Sequence, residues 1–156
     1  MAGSGRVSLT IGDITKFEAI TVNFGITTQK DQAGMPILQT LDTKMKVWID
    51  AHDVKNFLFD TFSKLFDLAN VPDNTKLKDI KVEYWLDDTK QDALCTYKFK
   101  GWISKFSTYN PPVVQGASSG GSNIQASWEN QFNNICYMEI EPIINTTNQS
   151  QVTIGN

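Results

Sequence analysis

The sequence has few of the residues that most catalytic and membrane functions require. It contains one histidine and two cysteines in 156 residues, which leaves little material for a histidine-dependent nucleophile or a cysteine metal cluster. Its apolar stretches are interrupted by charged residues well before the ~20 residues that a membrane helix needs. The N-terminal stretch has no apolar run typical of a Sec signal peptide, so we expect folding in the cytoplasm and no membrane insertion.

An excess of basic residues is also missing. The 14 Lys and Arg are outnumbered by 17 Asp and Glu, which gives a net charge of −3 and a pI near 5.1. Nucleic-acid-binding domains normally present a basic patch to phosphates, so we expect no nucleic-acid partner. The remaining composition is that of a globular domain. We expect one domain over residues 1–144 and a polar tail over 145–156 with too little apolar surface to become ordered.

The residue types that carry chemistry in other proteins are poorly placed for it here. His52 falls at the start of a predicted helix, where the helix dipole disfavours an imidazolium, so a surface histidine is favoured over a catalytic one. The acidic turn at 87–92 lacks EF-hand spacing, which favours a solvated hairpin turn over a calcium site. Cys95 and Cys136 lie in strand-like patterns, which favours buried free thiols over a disulfide between neighbouring strands. We expect no enzymatic activity, no metal and no cofactor.

Most of the chain shows the two-residue alternation of β-strands. Predicted strands cover Val7–Ile11, Phe17–Thr28, Thr43–Ile49, Ile80–Leu86, Ala93–Tyr109, Ile124–Phe132 and Ile135–Ile144. A loop rich in Pro, Gly and Ser is expected over 110–123. No β-α-β alternation is present, so we predict a mainly β fold, an antiparallel barrel or sandwich of about six to eight strands with one α-helix packed on its flank.

The period of the apolar residues changes to three and four after Ile49. Asp50 is a good helix N-cap, and Asp53 lies in the first turn, where negative charge is favoured. The apolar positions that follow at helical spacing are Val54, Phe57, Leu58, Phe62, Leu65, Phe66 and Ala69. Pro72 disfavours helical geometry at the residue before it. The pattern predicts an amphipathic helix of about five turns over 53–69.

The segment "QKDQAGMPILQT", Gln29 to Thr40, interrupts the strands and is called the arm below. Gly34 and Pro36 break regular structure there, and no helical period is present. Its apolar residues are Met35, Ile37 and Leu38. Apolar side chains of this kind are rarely left exposed together, so the arm is expected either to contact another molecule or to fold back on its own barrel.

The stretch "QDALCTYKFKGWISKF" has apolar residues on both faces of a predicted strand. One face carries Cys95, Tyr97, Phe99 and Ile103, and the other carries Leu94, Trp102 and Phe106 among lysines. An aromatic centre with a charged rim is typical of a subunit interface. Exposed tryptophans can also stack on sugars, so a lectin-like binding module is an alternative; the tryptophans are Trp48, Trp85, Trp102 and Trp128.

Several segments together resemble a known family. "ALCTYKFKGWISKFSTY", the loop "GASSGGSN" and a closing strand ending in "MEIEPI" resemble the tube proteins of type VI secretion systems, the Hcp (TssD) family. The single helix in mid-chain and the apolar arm also match that order of elements. The chain lacks the early "KG"-like and Ser-rich strands of proteobacterial members. It looks more like divergent tube proteins, as in Bacteroidetes-type systems or phage-tail-like extracellular injection particles.

The resemblance implies a structural protein with no catalytic residue. Members assemble as hexameric rings that stack into a tube inside a contractile sheath, and the tube leaves the cell with effectors in its lumen or on its spike. The implied partners are copies of the chain, sheath, spike and effector proteins; assembly is expected in the cytoplasm, followed by secretion. The residues expected at the stacking and subunit interfaces are Gln29, Asp31, Met35, Pro36, Ile37, Leu38, Lys100 and Trp102.

Overall fold

A computed structural model describes residues 7–38, 41–70, 73–110, 134–143 and 152–155. The strands are β1 (Val7–Ile11), β2 (Phe17–Ala19), β3 (Thr21–Thr27), β4 (Asp42–Asp50), β5 (Lys78–Trp85), β6 (Ala93–Tyr109), β7 (Ile135–Pro142) and β8 (Thr153–Gly155). The helix α1 spans Phe59–Asn70, and a short 3-10 helix spans Asn74–Lys76. The strands form one antiparallel sheet in the order β2-β1-β5-β6-β7-β4-β3, and β8 pairs with β6 beside that path. The predicted fold class is confirmed.

The core lies on one face of this sheet because apolar residues alternate with polar ones along each strand. The fully buried residues of β4 are Met45, Val47 and Ile49, and those opposite them on β7 are Ile140, Met138 and Cys136. Burial of each large apolar side chain contributes about 1.5–3 kcal/mol relative to exposure. The polar partners in the same strands point to the opposite face, which we call the outward face.

The two edges of the sheet are formed by neighbouring segments of the chain. The strand predicted over Phe17–Thr28 is divided at Ile20, where the chain stops pairing with β1 and begins to pair with β4. The Ile20 N–H donates to the carbonyl of Trp48 at 2.8 Å. Across the interior, the ring of Phe24 stacks on Tyr97 at 4.8 Å. The sheet therefore curls around its core, although no ladder joins the described edge strands.

A β-bulge changes the facing of residues in the second half of β6. The pairing of β6 with β7 shifts by one residue at Ser104, so both Ile103 and Phe106 lie opposite buried residues of β7. The ring of Phe106 contacts Phe62 and Phe66 of α1 at 5.7 and 5.9 Å. The prediction that Phe106 shares the outward face with Trp102 is wrong, because one extra residue in a strand reverses the alternation beyond it.

The helix is shorter than predicted, and residues 51–58 form turns. The side chain of Asp50 accepts the His52 N–H at 2.9 Å, and that of Asp53 bonds both the backbone and the side chain of Asn56. Aspartate side chains that satisfy nearby backbone groups in this way compete with helical hydrogen bonding. The turns bury Phe57 against Phe17, with ring centroids 5.7 Å apart.

The described end of the polar tail, residues 152–155, is more ordered than predicted. Residues Thr153–Gly155 form β8, which pairs with Thr96, Tyr97 and Lys98 of β6. β6 is 17 residues long, whereas β7 covers only its second half, so the first half has a strand edge available for pairing. Backbone hydrogen bonding to this edge orders the segment, and the adjacent Val152 packs against the core.

The two cysteines are free thiols on different strands, so the disulfide alternative is wrong. Cys136 is buried in the core, and burial raises the pKa of its thiol to about 12. Cys95 is half-buried. The predicted strand Ile124–Phe132, with Trp128, lies outside the described residues, as does the predicted loop beyond Asn110.

Candidate subunit interface

The arm begins with a tight turn centred on Asp31. The Asp31 carboxylate accepts the backbone N–H groups of Ala33 and Met35, each at 2.9 Å. The Asp31 N–H donates in turn to the Met35 carbonyl at 2.9 Å. Gly34 has a φ of +83°, a conformation that glycine adopts without steric cost. These contacts give the turn a defined shape without any contribution from the core.

The two sides of the arm are held together by backbone contacts. The Ile37 N–H donates to the Gln29 carbonyl at 2.9 Å, and Lys30 forms an isolated antiparallel bridge with Pro36. The described part of the arm, 29–38, is therefore a hairpin-like extension of the edge strand β3. The predicted irregular loop has more local order than its sequence indicated.

The arm and the end of β3 project into solvent. Every residue from 26 to 38 is exposed, and the apolar side chains in this range are Ile26 at 60%, Met35 at 62%, Ile37 at 42% and Leu38 at 86% exposure. An arm folded back on its own barrel would bury these side chains, so that alternative is wrong for residues 29–38. Exposed apolar side chains on one short segment are available for contact with another molecule.

Lys100 and Trp102 lie on the outward face of the central strand β6. Lys100 is exposed and lies opposite Asp79 of β5, whereas Trp102 is half-buried and lies opposite Glu141 of β7. β6 and β3 are separated by β7 and β4 in the sheet. The fold therefore brings the six arm residues of the predicted interface together but places these two on a separate surface.

Next to Trp102, the outward face carries a set of ion pairs between β4 and β7. Lys44 lies 3.4 Å from Glu139 and 3.7 Å from Glu141. The Tyr137 hydroxyl donates to Glu139 at 2.7 Å; this hydrogen bond, with Lys44 beside it, lowers the pKa of the Glu139 carboxyl. The hydrogen bond to Glu139 in turn raises the pKa of the Lys44 ammonium. Both shifts favour the charged forms of Lys44 and Glu139 and so hold this ion pair together, which suits a structural role.

Glu83 is a buried acid on the outward face of β5. Its carboxylate lies 2.7 Å from the ammonium of Lys16 and also contacts Lys81. Burial opposes ionisation of Glu83, but the two ammonium groups together outweigh it and lower the pKa of the carboxyl. Lys16 also lies over the ring of Trp85, 4.9 Å from its centroid. A carboxylate that stays ionised and paired with two ammonium groups is poorly suited to general acid or base catalysis.

The other residues considered for catalysis or metal binding, His52 and the acidic turn at 87–92, lie at the surface. His52 is exposed, with its Nε2 2.6 Å from the side-chain amide of Asn134. The acidic turn at 87–92 joins β5 to β6. No three His, Cys, Asp or Glu side chains among the described residues are arranged to hold a metal ion. Among the helices that the structure describes, none has the length and apolar character needed to cross a membrane.

Several apolar residues outside the arm are exposed. The helical pattern assigned Val54, Leu58 and Phe66 to the buried face, but they are 72%, 50% and 48% exposed. Leu86 and Leu94, which flank the β5–β6 turn, are 59% and 61% exposed. Leu94 was predicted to lie on the lysine-bearing face of its strand, whereas Leu86 was predicted only as the last residue of a strand, next to the acidic turn.

Comparison with known proteins shows a similar fold. No protein-family model and no curated protein matches the chain. A solved structure described as Hcp1 from Flavobacterium johnsoniae is similar, with a TM-score of 0.55 over 96% of this chain and 94% of that chain. The two sequences are 13% identical. The likeness therefore shows an Hcp-like fold.

Proposed function

We propose that this chain is a structural subunit of the inner tube of a type VI secretion system or a related contractile injection system. In this proposal, copies form hexameric rings, and the rings stack into a tube that carries effectors. The observation that carries the proposal is the exposed apolar arm on an Hcp-like fold. The chain acts by assembly and has no enzymatic activity.

The arm is the proposed stacking element between rings. It projects from an edge strand, and its shape is set by its own hydrogen bonds, so little conformational entropy is lost when it binds. Its exposed Met35, Ile37 and Leu38 would lose contact with water against the next ring. Burial of apolar surface is the main favourable term in such an association.

The ring itself requires a second contact, between different surfaces of neighbouring copies. A head-to-tail contact of this type closes into a ring when its rotation fits a whole number of copies. The outward-face residues Lys100 and Trp102 are proposed to belong to that lateral contact. We expect assembly in the cytoplasm, with sheath, spike and effector proteins as further partners, and secretion of the tube on firing.

Two other functions can be compared with the structure. The tube of a phage-tail-like extracellular particle would use the same contacts, and genes for sheath and spike proteins near this one would distinguish the two machines. A lectin-like module needs open indole faces. Trp85 instead donates to Ser8 at 2.9 Å beneath Lys16, and Trp48 packs against Tyr137. Trp48 and Trp85 therefore favour a structural role.

The oligomeric mass tests the proposal. Light scattering during size exclusion should give about 105 kDa for six copies of the 17.5 kDa chain. A mass equal to one folded chain at the highest concentration reached would overturn the proposed function.

The role of the arm is tested separately by Met35→Asp with Ile37→Asp. Both side chains are exposed, so the variant should fold and form rings, but charges at these two apolar positions should prevent the rings from joining into tubes. Sedimentation of tubes measures the difference. Thr28→Asp with Gln32→Asp introduces the same charge at exposed polar positions nearby and should still sediment. Equal sedimentation of both variants would place the stacking contact elsewhere.

A further inference from the structure

A groove crosses the outward face of four strands at one end of the β5–β6 hairpin. Its central row consists of Thr10, Lys81, Lys98 and Thr153, which lie directly opposite one another on β1, β5, β6 and β8. At strand spacings of ~4.8 Å the row is roughly 14 Å wide. The cavity over it has a volume of about 470 Å³ and is also lined by Gly12, Asp79 and Lys100. We call it the lysine groove.

The lysine groove has a positive charge in a chain that is negative overall. Lys81, Lys98 and Lys100 lie in it with one opposing acid, Asp79. Only Lys81 among the three has a described ion pair, with Glu83. Lys98 and Lys100 are exposed. Long lysine side chains also cover apolar surface with their methylene groups, so the groove combines an apolar floor with a cationic rim.

The opposite end of the same hairpin has the complementary character. The turn between β5 and β6, which we call the tip, carries Asp87, Asp88 and Asp92, all exposed. The two exposed leucines Leu86 and Leu94 flank these acids. The tip is therefore apolar at its base and acidic at its rim. Six residues of extended chain, roughly 20 Å, separate Asp92 from Lys98, so a tip cannot reach the groove of its own chain.

We propose that the tip of one copy binds in the lysine groove of the next copy and that this contact forms the ring. The inference rests on the proposed function and names the surfaces that join its subunits. The leucines of the tip lie over the methylene groups of the lysines, and the aspartates face the ammonium groups around them. Because tip and groove lie at opposite ends of one hairpin, the contact is head-to-tail, as ring closure requires.

Reciprocal charge reversal tests the contact. The groove variant is Lys98→Glu with Lys100→Glu, and the tip variant is Asp88→Lys with Asp92→Lys, which leaves the Asp87 contacts of the turn intact. Each variant alone places like charges across every contact, so its self-association should be weakened roughly 100-fold. In an equal mixture each groove meets a tip of opposite charge, so rings of alternating copies should form again.

Native mass spectrometry distinguishes the outcomes. The mixture should give rings with three copies of each variant. The control is Lys46→Glu with Lys55→Glu, which changes the net charge as much as the groove variant does, at exposed positions outside the groove. This control should form rings without a second variant. Ring formation in the mixture would also show that both variants fold. Rings formed by either variant alone, or no rings in the mixture, would overturn the contact while leaving the proposed function intact. Absence of rings in the wild type would instead overturn the proposed function.

Discussion

Glu83 is a buried carboxylate on the outward face whose charge is compensated by neighbouring residues. It is the one charged side chain in the buried set of the described residues, at 7% exposure. Lys16 and Lys81 neutralise it and keep much of their own side chains in water. The desolvation that would otherwise exclude a carboxylate from this position is therefore offset by two partners.

Glu83→Gln should lower the free energy of unfolding by about 1–2 kcal/mol near pH 6. The folded-state pKa of Glu83 lies below its ordinary value of 4.5, so its contribution is present above that pH and is lost as pH falls through the folded-state pKa. Urea unfolding at several pH values should show the wild type and the variant converging in acid. A difference that stays constant as the pH falls through the folded-state pKa of Glu83 would assign the effect to packing rather than charge.

Thr43 shows the opposite case, because its buried hydroxyl has no hydrogen-bond partner to offset the cost of burial. Its Oγ1 has no hydrogen-bond partner among the described residues, and the residue is 6% exposed. Thr43→Val keeps the shape and removes the unsatisfied group, so we expect about 1 kcal/mol of added stability. Thermal unfolding measures it, with Thr27→Val at an exposed position of β3 as the control. A lower melting temperature for Thr43→Val would show that the hydroxyl is satisfied.

At the scale of elements, β6 organises the molecule. It pairs with β5 along one edge and with β7 and β8 along the other. Its bulge at Ser104 turns Phe106 toward α1 and so attaches the helix to the sheet. One strand therefore joins the helix, the tail and both halves of the core.

Gly101 allows β6 and β7 to approach closely. A Cβ at this position would lie 2.4 Å from the carbonyl oxygen of Glu141, which is backbone and cannot rotate away. Gly101→Ala should therefore lower the free energy of unfolding by about 3 kcal/mol. Gly25→Ala, in a strand with no atom within 4 Å of the new Cβ, is the matched control. If urea unfolding shows the same loss of unfolding free energy in both variants, β6 and β7 do not approach closely at Gly101.

The sequence predicted elements whose pattern is local. The alternation Met45, Val47, Ile49 identified β4 without ambiguity. The bulge at Ser104 could not be predicted, because it depends on pairing with β7, which lies some thirty residues further along the chain. The helix start was misplaced because Asp50 and Asp53, read as favourable for a helix, bond to turn backbone instead.

At the scale of the whole molecule, the exposed apolar and charged residues of the arm, the tip and the lysine groove fall on three separate surfaces. The arm extends from the edge strand β3, whereas the tip and the lysine groove occupy opposite ends of the β5–β6 hairpin. Three such surfaces suit a subunit that contacts neighbours both around a ring and along a tube. The arm was predictable from Gly34 and Pro36, but the groove was not, because its residues come from four strands.

Electron microscopy of the negatively stained wild-type protein tests the central claim most directly. If the chain is a tube subunit, class averages at high protein concentration should show six-fold annular particles, with stacks of them in side view. A field of small compact particles the size of one folded chain, from a sample whose circular dichroism shows the β-sheet structure, would contradict the account.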